Sequence, residues 1–304
     1  ACLGQALEEN KKELPTWRGH HEQNMALTGI AFSRAKRRKQ IFVATSSVGP
    51  GSTNMLTAAA VAMSNRLPML FLPGDTYANR MPDPVLQQVE HFNNPNITQN
   101  DAFKYVTRYF DRITRPEQIL QTFPQAIQTM IDPADCGPAC ISLSQDVQGE
   151  TFDYPEEFFN EKIHTIRRPR PDDYQIKQAA DLIKKSKNPI IISGGGIFYS
   201  DAMKELSQFA KKHNIPTAQT VMGYSTMKKD DPYFLGAIGG FGGKAPNDFM
   251  KKTDLAIAIG TKLADFTTGS WTNFENPNFK LVSINVSRFD ANKHMAQSLS
   301  LIHI

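Results

Sequence analysis

The sequence predicts an α/β chain of two doubly wound parallel-sheet domains. Three observations carry that expectation. Short continuous apolar runs of strand length alternate with helical stretches, a Pro-rich segment interrupts the pattern once, and the alternation then resumes. The 304 residues suffice for two domains of ordinary size, each with its own core.

Residues 1–10 read as helix. A second helical pattern spans 22–37; it opens on Glu22, an acid suited to the positive end of the helix dipole, and carries apolar Ala26, Leu27, Ile30 and Ala31 on one face. Buried strands are expected at 41–45 (IFVAT), 69–73 (MLFLP) and 139–143 (ACISL), with helices at 52–65 and 117–131 between them. Residues 148–171 turn rich in Glu, Pro and Phe and end in RRPRP, where Pro169 and Pro171 exclude a regular element. That linker sets the domains at 1–165 and 166–304. The second domain opens with a helix at 172–185 and a strand at 189–193 (PIIIS) that runs into Gly194, Gly195 and Gly196. A helix follows at 200–213, striped by Met203, Leu206, Phe209 and Ala210, then strands at 254–259 and 280–286.

Composition narrows the function classes. Hydrophobic residues make up 40% and charged residues 21%, with a net charge of only +4, which is an ordinary soluble balance. No apolar run reaches the eighteen residues that a membrane helix needs, and no signal-peptide pattern precedes the first helix. The basic run Lys36, Arg37, Arg38, Lys39 follows a helix, where cations suit the negative end of the dipole, and no aromatics interleave with it to suggest nucleic acid. Cys2, Cys136 and Cys140 are an odd count without a secretory signal, which points to reduced thiols in a cytoplasmic protein. They lack the further ligands of a zinc centre, so no metal site is assigned.

Several motif readings fail on spacing. His20-His21-Glu22 lacks the second His of a zinc protease, and the Gly194 turn has Tyr199 where the dinucleotide fingerprint needs its third glycine. Neither a Walker loop nor a Gly-x-Ser-x-Gly elbow is present. Two features remain. One is 19–26 (GHHEQNMA), with Glu22 at a helix start. The other is 45–55 (TSSVGPGSTNM), a glycine turn that leaves a buried strand and opens an alanine-rich helix. Gly49 and Gly51 let the backbone approach a flat group, and Pro50 stiffens the turn. The bland alternative is a helix start capped by Ser52.

Together these segments resemble the pyrimidine-binding domain of the thiamine-diphosphate enzymes, in particular the acetolactate synthase-like branch. There, His-Glu-Gln and Thr-Ser-Gly-Pro-Gly-x-Thr-Asn recur in this order and spacing; Val48 is an insertion. Within that branch the chain resembles the ring-opening hydrolases of myo-inositol catabolism, from residue 1 to about 296. The resemblance runs through 72–75 (LPGD), 83–90 (DPVLQQVE) and 284–290 (INVSRFD) as well as the two segments above.

The resemblance implies a thiamine diphosphate cofactor with Mg2+, and hydrolytic carbon–carbon cleavage of a cyclic 1,2-dione. It implies that Glu22 is catalytic and exchanges a proton with the pyrimidine, and that Pro50, Asn54 and Gln87 line the pyrimidine pocket beside Glu22, with Gln23 nearby. A carboxyl raised toward neutrality by burial would suit that task. The second domain would be the family's middle domain, which in some members carries flavin or ADP. Family members are about twice as long, and their third domain holds magnesium and diphosphate on a Gly-Asp-Gly motif and a later Asn. Here Gly74-Asp75 is followed by Thr76, and the tail 297–304 (QSLSLIHI) departs from the family pattern. The chain is therefore expected to be a truncated piece, inactive alone and part of a homodimer or homotetramer when whole. The alternatives are a carboligase on the same cofactor and a non-catalytic nucleotide- or flavin-binding protein using the Gly194 turn.

Overall fold

The structure, a computed structural model, describes residues 2–294 and 298–301, the last four by backbone alone. It divides into two compact units, Ala1–Ile166 and Arg167–Ile304.

The first unit contains α1 (Cys2–Glu9), α2 (Glu22–Ala35), β1 (Val43–Ser46), α3 (Pro50–Thr53), α4 (Leu56–Asn65), β2 (Leu70–Asp75), β3 (Tyr109–Ile113), α5 (Ile119–Ile131) and β4 (Ala139–Ser144). Its strands form one parallel sheet in the order β1-β2-β4-β3. One face buries Leu70, Ile113, Ile141 and Val147 against Ala126 and Met130 of α5. α2 packs on α4 and on β1. Small residues permit that approach: Ala58, Ala59 and Ala62 of α4 are fully buried, and a Cβ on Gly29 of α2 would sit 2.9 Å from the Met69 side chain.

The second unit contains α6 (Asp173–Lys185), β5 (Pro189–Ser193), α7 (Gly195–Tyr199), α8 (Met203–His213), β6 (Thr217–Gln219), β7 (Phe234–Ala237), α9 (Lys244–Lys252), β8 (Leu255–Ile259), α10 (Asp265–Thr268), β9 (Lys280–Ile284), α11 (Arg288–Asn292) and β10 (Ser298–Leu301). Its parallel sheet runs β10-β9-β8-β5-β6-β7. Ile190, Ile191 and Ile192 of β5 are each fully buried, because strand alternation sends Ile191 into one core and its neighbours into the other. Each such burial contributes roughly 1.5–3 kcal/mol.

The doubly wound parallel-sheet class holds in both units, with differences of detail. The helix expected over 52–65 starts at Pro50 and breaks between α3 and α4. Ser52 is not its cap: Gly49 takes that place, and the Ser52 side chain is turned into the core. The helix expected over 200–213 begins at Met203, after a separate turn of helix at α7. Strands β3, β6 and β7 were not anticipated. β3 reads YFDRI, whose Arg112 belongs to a buried ion pair and whose Asp111 accepts from Thr122, and β6 is only three residues long. In the tail, residues 298–301 pair in parallel with β9, while 297 and 302–304 lie outside the described residues.

Candidate active site

Helix α2 packs on β1, and a hydrogen bond from Asn54 to Glu22 ties its first turn to the segment that leaves β1 at the carboxyl edge of the sheet. Ligands of open α/β sheets bind along that edge. Glu22 is the first residue of α2 and is partly buried. Its Oε2 accepts a hydrogen bond of 2.9 Å from Asn54 Nδ2, which also lies 3.3 Å from His21 Nε2. Burial does not govern the Glu22 carboxyl in this chain. Its own backbone N–H at the helix start, then the Asn54 amide, hold it below the ordinary 4.5; burial opposes them, and His21 adds a smaller lowering.

The turn after β1 depends on two glycines. Gly49 has φ +72°, and a Cβ there would lie 1.9 Å from the Gln87 carbonyl oxygen, so both conformation and space demand glycine. Gln87 itself adopts φ +69°. A Cβ on Gly51 would lie 2.5 Å from Ser47 Oγ and 3.3 Å from Glu22 Oε1, so this glycine keeps open the space that both oxygens border. Pro50 opens α3, where its missing N–H costs nothing.

Of the four residues expected at the site, Glu22 and Asn54 are bonded directly, and Pro50 lies in the turn between them, next to Gly51. Gln87 meets that turn through its backbone carbonyl, and its exposed side chain makes no hydrogen bond to the other three. Gln23 is partly buried beside Glu22.

Sequence reasoning missed the scaffold beneath the turn. Asp75 is fully buried at the end of β2 and accepts from Arg112 Nε at 2.8 Å, from Ser142 Oγ at 2.6 Å and from Thr98 Oγ1 at 3.1 Å. Arg112 also donates to Asp101 at 3.0 Å. Desolvation works against the charged guanidinium, but Asp75 and Asp101 outweigh it and raise its pKa. Asn100 carries the network outward: its Nδ2 donates to Ser142 Oγ at 2.8 Å and to the Gly74 carbonyl at 2.9 Å, and its Oδ1 accepts from Ser52 Oγ at 2.6 Å. Ser52 thereby anchors α3 to the sheet. The one signal in the sequence was a charged Asp75 directly after the buried run MLFLPG.

A cleft of about 380 Å3 opens at the same sheet edge, lined on its polar side by Thr45, Ser46, Ser47, Gln87, Gln145 and Gln148. A larger hollow of about 530 Å3, lined by Arg108, Gln128, Thr129, Asp132 and Asp135, lies at the opposite edge and touches none of these groups. The buried thiols offer no chemistry: burial pushes Cys136 up to about 11 and Cys140 well above its usual value.

In the second unit the turn after β5 is consumed by packing. A Cβ on Gly194 would lie 2.3 Å from the Gly260 carbonyl oxygen, and one on Gly196 would lie 2.6 Å from Gly260 Cα. These glycines serve a close approach of two backbones where the strand order reverses between β5 and β8.

Residues 3–95 match the family model described as "Thiamine pyrophosphate enzyme, N-terminal TPP binding domain", and residues 176–303 match "Thiamine pyrophosphate enzyme, central domain". Over 291 residues, 96% of this chain, the sequence is 48% identical to 3D-(3,5/4)-trihydroxycyclohexane-1,2-dione hydrolases of Clostridium botulinum (strain Alaska E43 / Type E3) and Clostridium tetani (strain Massachusetts / E88). It is equally similar to the 3D-(3,5/4)-trihydroxycyclohexane-1,2-dione hydrolase of Bacillus cereus (strain AH820). The chain spans 45% of the length of each of these curated relatives.

Proposed function

The chain belongs to the thiamine pyrophosphate enzyme family, of which it carries the N-terminal TPP-binding domain and the central domain, and on that footing we propose that it serves a thiamine-diphosphate-dependent hydrolase acting on trihydroxycyclohexane-1,2-dione. The observation that carries this reading is the Glu22 carboxylate, bonded to Asn54 beside the Gly49–Pro50–Gly51 turn. In this reading the working enzyme is a homo-oligomer and its substrate a small molecule.

The residues fit the pyrimidine end of the cofactor. One Glu22 oxygen is engaged by Asn54, and the other borders the space that Gly51 leaves open, where it can accept a hydrogen from a ring nitrogen. Gly49, Gly51 and Pro50 provide a rigid surface without protruding side chains. For the diphosphate the fit is different: among the described residues no group of three or more His, Cys, Asp or Glu side chains is placed to hold a metal ion. Magnesium and the diphosphate would be held by groups outside those residues.

When bound, thiamine diphosphate supplies the electron sink for breaking a bond between two carbonyl carbons. Glu22 orients the pyrimidine and exchanges a proton with it. Asn54 keeps the carboxylate in one rotamer and favours its ionised form. The turn excludes water from beneath the ring. The reaction adds one water across the bond between the carbonyls; one carbon becomes a carboxylate and the other an aldehyde, and the ring opens.

The test is direct. The Glu22 side-chain carboxyl carbon is followed by 13C NMR while thiamine diphosphate and magnesium are added to an enzyme that contains this chain and a diphosphate-binding domain. A saturable shift at Glu22, absent with thiamine-free diphosphate, is expected. A cofactor that binds without moving that resonance would overturn the assignment.

A further inference from the structure

The cleft beside the glycine turn is built from neutral hydrogen-bonding groups around an apolar floor that includes Leu72 and Leu143. None of the described side chains that line it carries a charge. Some of its polar groups are spent within the chain. Thr45 Oγ1 donates to the Leu72 carbonyl at 2.8 Å, and Gln148 accepts from the Leu3 N–H and donates to the Leu143 carbonyl, both at 3.3 Å. The Gln145 amide, which follows β4 and is partly buried, makes no side-chain hydrogen bond among the described residues, and neither does the Ser47 hydroxyl.

An unspent amide offers a donor and an acceptor side by side, and a serine hydroxyl offers both at one atom. That pair complements a ligand group that donates and accepts at once, as a hydroxyl does. A carboxylate or phosphate gains most from cationic partners, because an unpaired charge is costly to desolvate, and among the described residues no charged side chain lines this cleft. At about 380 Å3 the cleft falls in the range of small-molecule pockets, roughly 300–1,000 Å3. It reaches the reacting end of the site: Ser47 lines it, and Ser47 Oγ borders the same space at Gly51 as Glu22 Oε1.

We infer that this cleft is the subsite for the substrate's hydroxylated ring, that it selects a neutral cyclic polyol over an anionic 2-oxo acid, and that Gln145 is the side chain that reads the ring hydroxyls. The inference rests on the hydrolase reading above and names what that site selects.

Two measurements test it. In the holoenzyme, Gln145→Leu keeps side-chain volume and removes the hydrogen bonds. KM for the dione is expected to rise on the order of 10-fold or more while kcat and the cofactor dissociation constant stay within about 3-fold, as for an unmade hydrogen bond to a buried polar group. In the same holoenzyme, 15N spectra report the Gln145 side-chain amide directly, so a fold-breaking substitution cannot mask the answer. Myo-inositol, an unreactive neutral cyclic polyol, should shift that amide, and pyruvate should not. An unchanged KM in Gln145→Leu, no shift with myo-inositol, or a larger shift with pyruvate would overturn the subsite. The two readings fail separately: an immobile Glu22 resonance on cofactor addition removes the cofactor assignment, whereas an immobile Gln145 amide removes only the polyol subsite.

Discussion

Each sheet ends a strand in a glycine turn that opens a short helix, the largely exposed edge strand β1 at residues 47–51 and the buried β5 at 194–196. In both, backbone crowds the glycine: the Gln87 carbonyl approaches Gly49, and Gly260 approaches Gly194 and Gly196. The difference lies in what surrounds the turn. Around the first stand a carboxylate, an amide and a hydroxyl at Glu22, Asn54 and Ser47. Around the second stand Gly260, Thr261 and the backbone of Met222, which crowd the glycines. A glycine turn after a strand is thus a statement about backbone proximity, and chemistry depends on side chains delivered from elsewhere in the chain.

The largest expected effect breaks that comparison at its chemical end. Glu22→Gln preserves shape but cannot exchange a proton, and turnover of the holoenzyme should fall on the order of 10²–10⁴-fold. Steady-state rates at saturating cofactor decide it, and near-normal turnover would reduce the first turn to the status of the second.

Next comes the scaffold under the first turn. Asp75→Asn leaves the Arg112 guanidinium, only 20% exposed, without its closest counter-charge. Breaking a buried ion pair from one side costs about 3–5 kcal/mol. Urea unfolding should report that loss in the first unit; a change below about 1 kcal/mol, the scale of an exposed pair, would show the network to be ornamental.

The glycines themselves sharpen the contrast. Gly49→Ala and Gly194→Ala should each destabilise by at least about 2 kcal/mol, since a Cβ at either position meets backbone oxygen and, at Gly49, must also adopt positive φ. Thermal denaturation should register both. Cofactor titration well below the transition should separate them, with affinity lost in Gly49→Ala and retained in Gly194→Ala. Equal losses would mean that the second turn also contributes to binding.

The smallest effect is a titration. Asn54 lowers the Glu22 pKa, so Asn54→Ala should raise it toward the ordinary value. A depressed carboxyl stabilises the fold above its unfolded pKa, and that contribution is lost as pH falls through the folded value. The variant should therefore lose a little stability at neutral pH, and its acid titration should begin at higher pH. Carboxyl 13C shifts against pH check the direction; an unmoved or lower pKa would mean that the Asn54 amide does not govern the carboxylate.

Much of the scaffold was legible because local patterns encode it. The runs at 69–73, 139–143 and 189–193 are continuous and apolar, which only a sheet covered on both faces requires, and they became β2, β4 and β5. Glu22 and the turn at 49–54 stood out through residue types that helices and strands do not otherwise need in series. β3 escaped because its Asp111 and Arg112 break the apolar run, although Arg112 is there to meet Asp75, 37 positions away.

By itself the sequence determined the α/β class, the two parallel sheets, and which short segments hold unusual chemistry, because strand and helix periodicity and turn chemistry act over a few residues. Only the tertiary structure decided the electrostatic state of Glu22, which burial alone would have raised and which a helix start and Asn54 lower instead. It also decided that Ser52 points inward to Asn100, that Gly194 and Gly196 are filled by Gly260, and that Thr45, Gln87 and Gln145 share one uncharged cleft. These are pairings between residues tens of positions apart. Their energies depend on distance and desolvation, and neither is set until the sheet has brought the strand ends together.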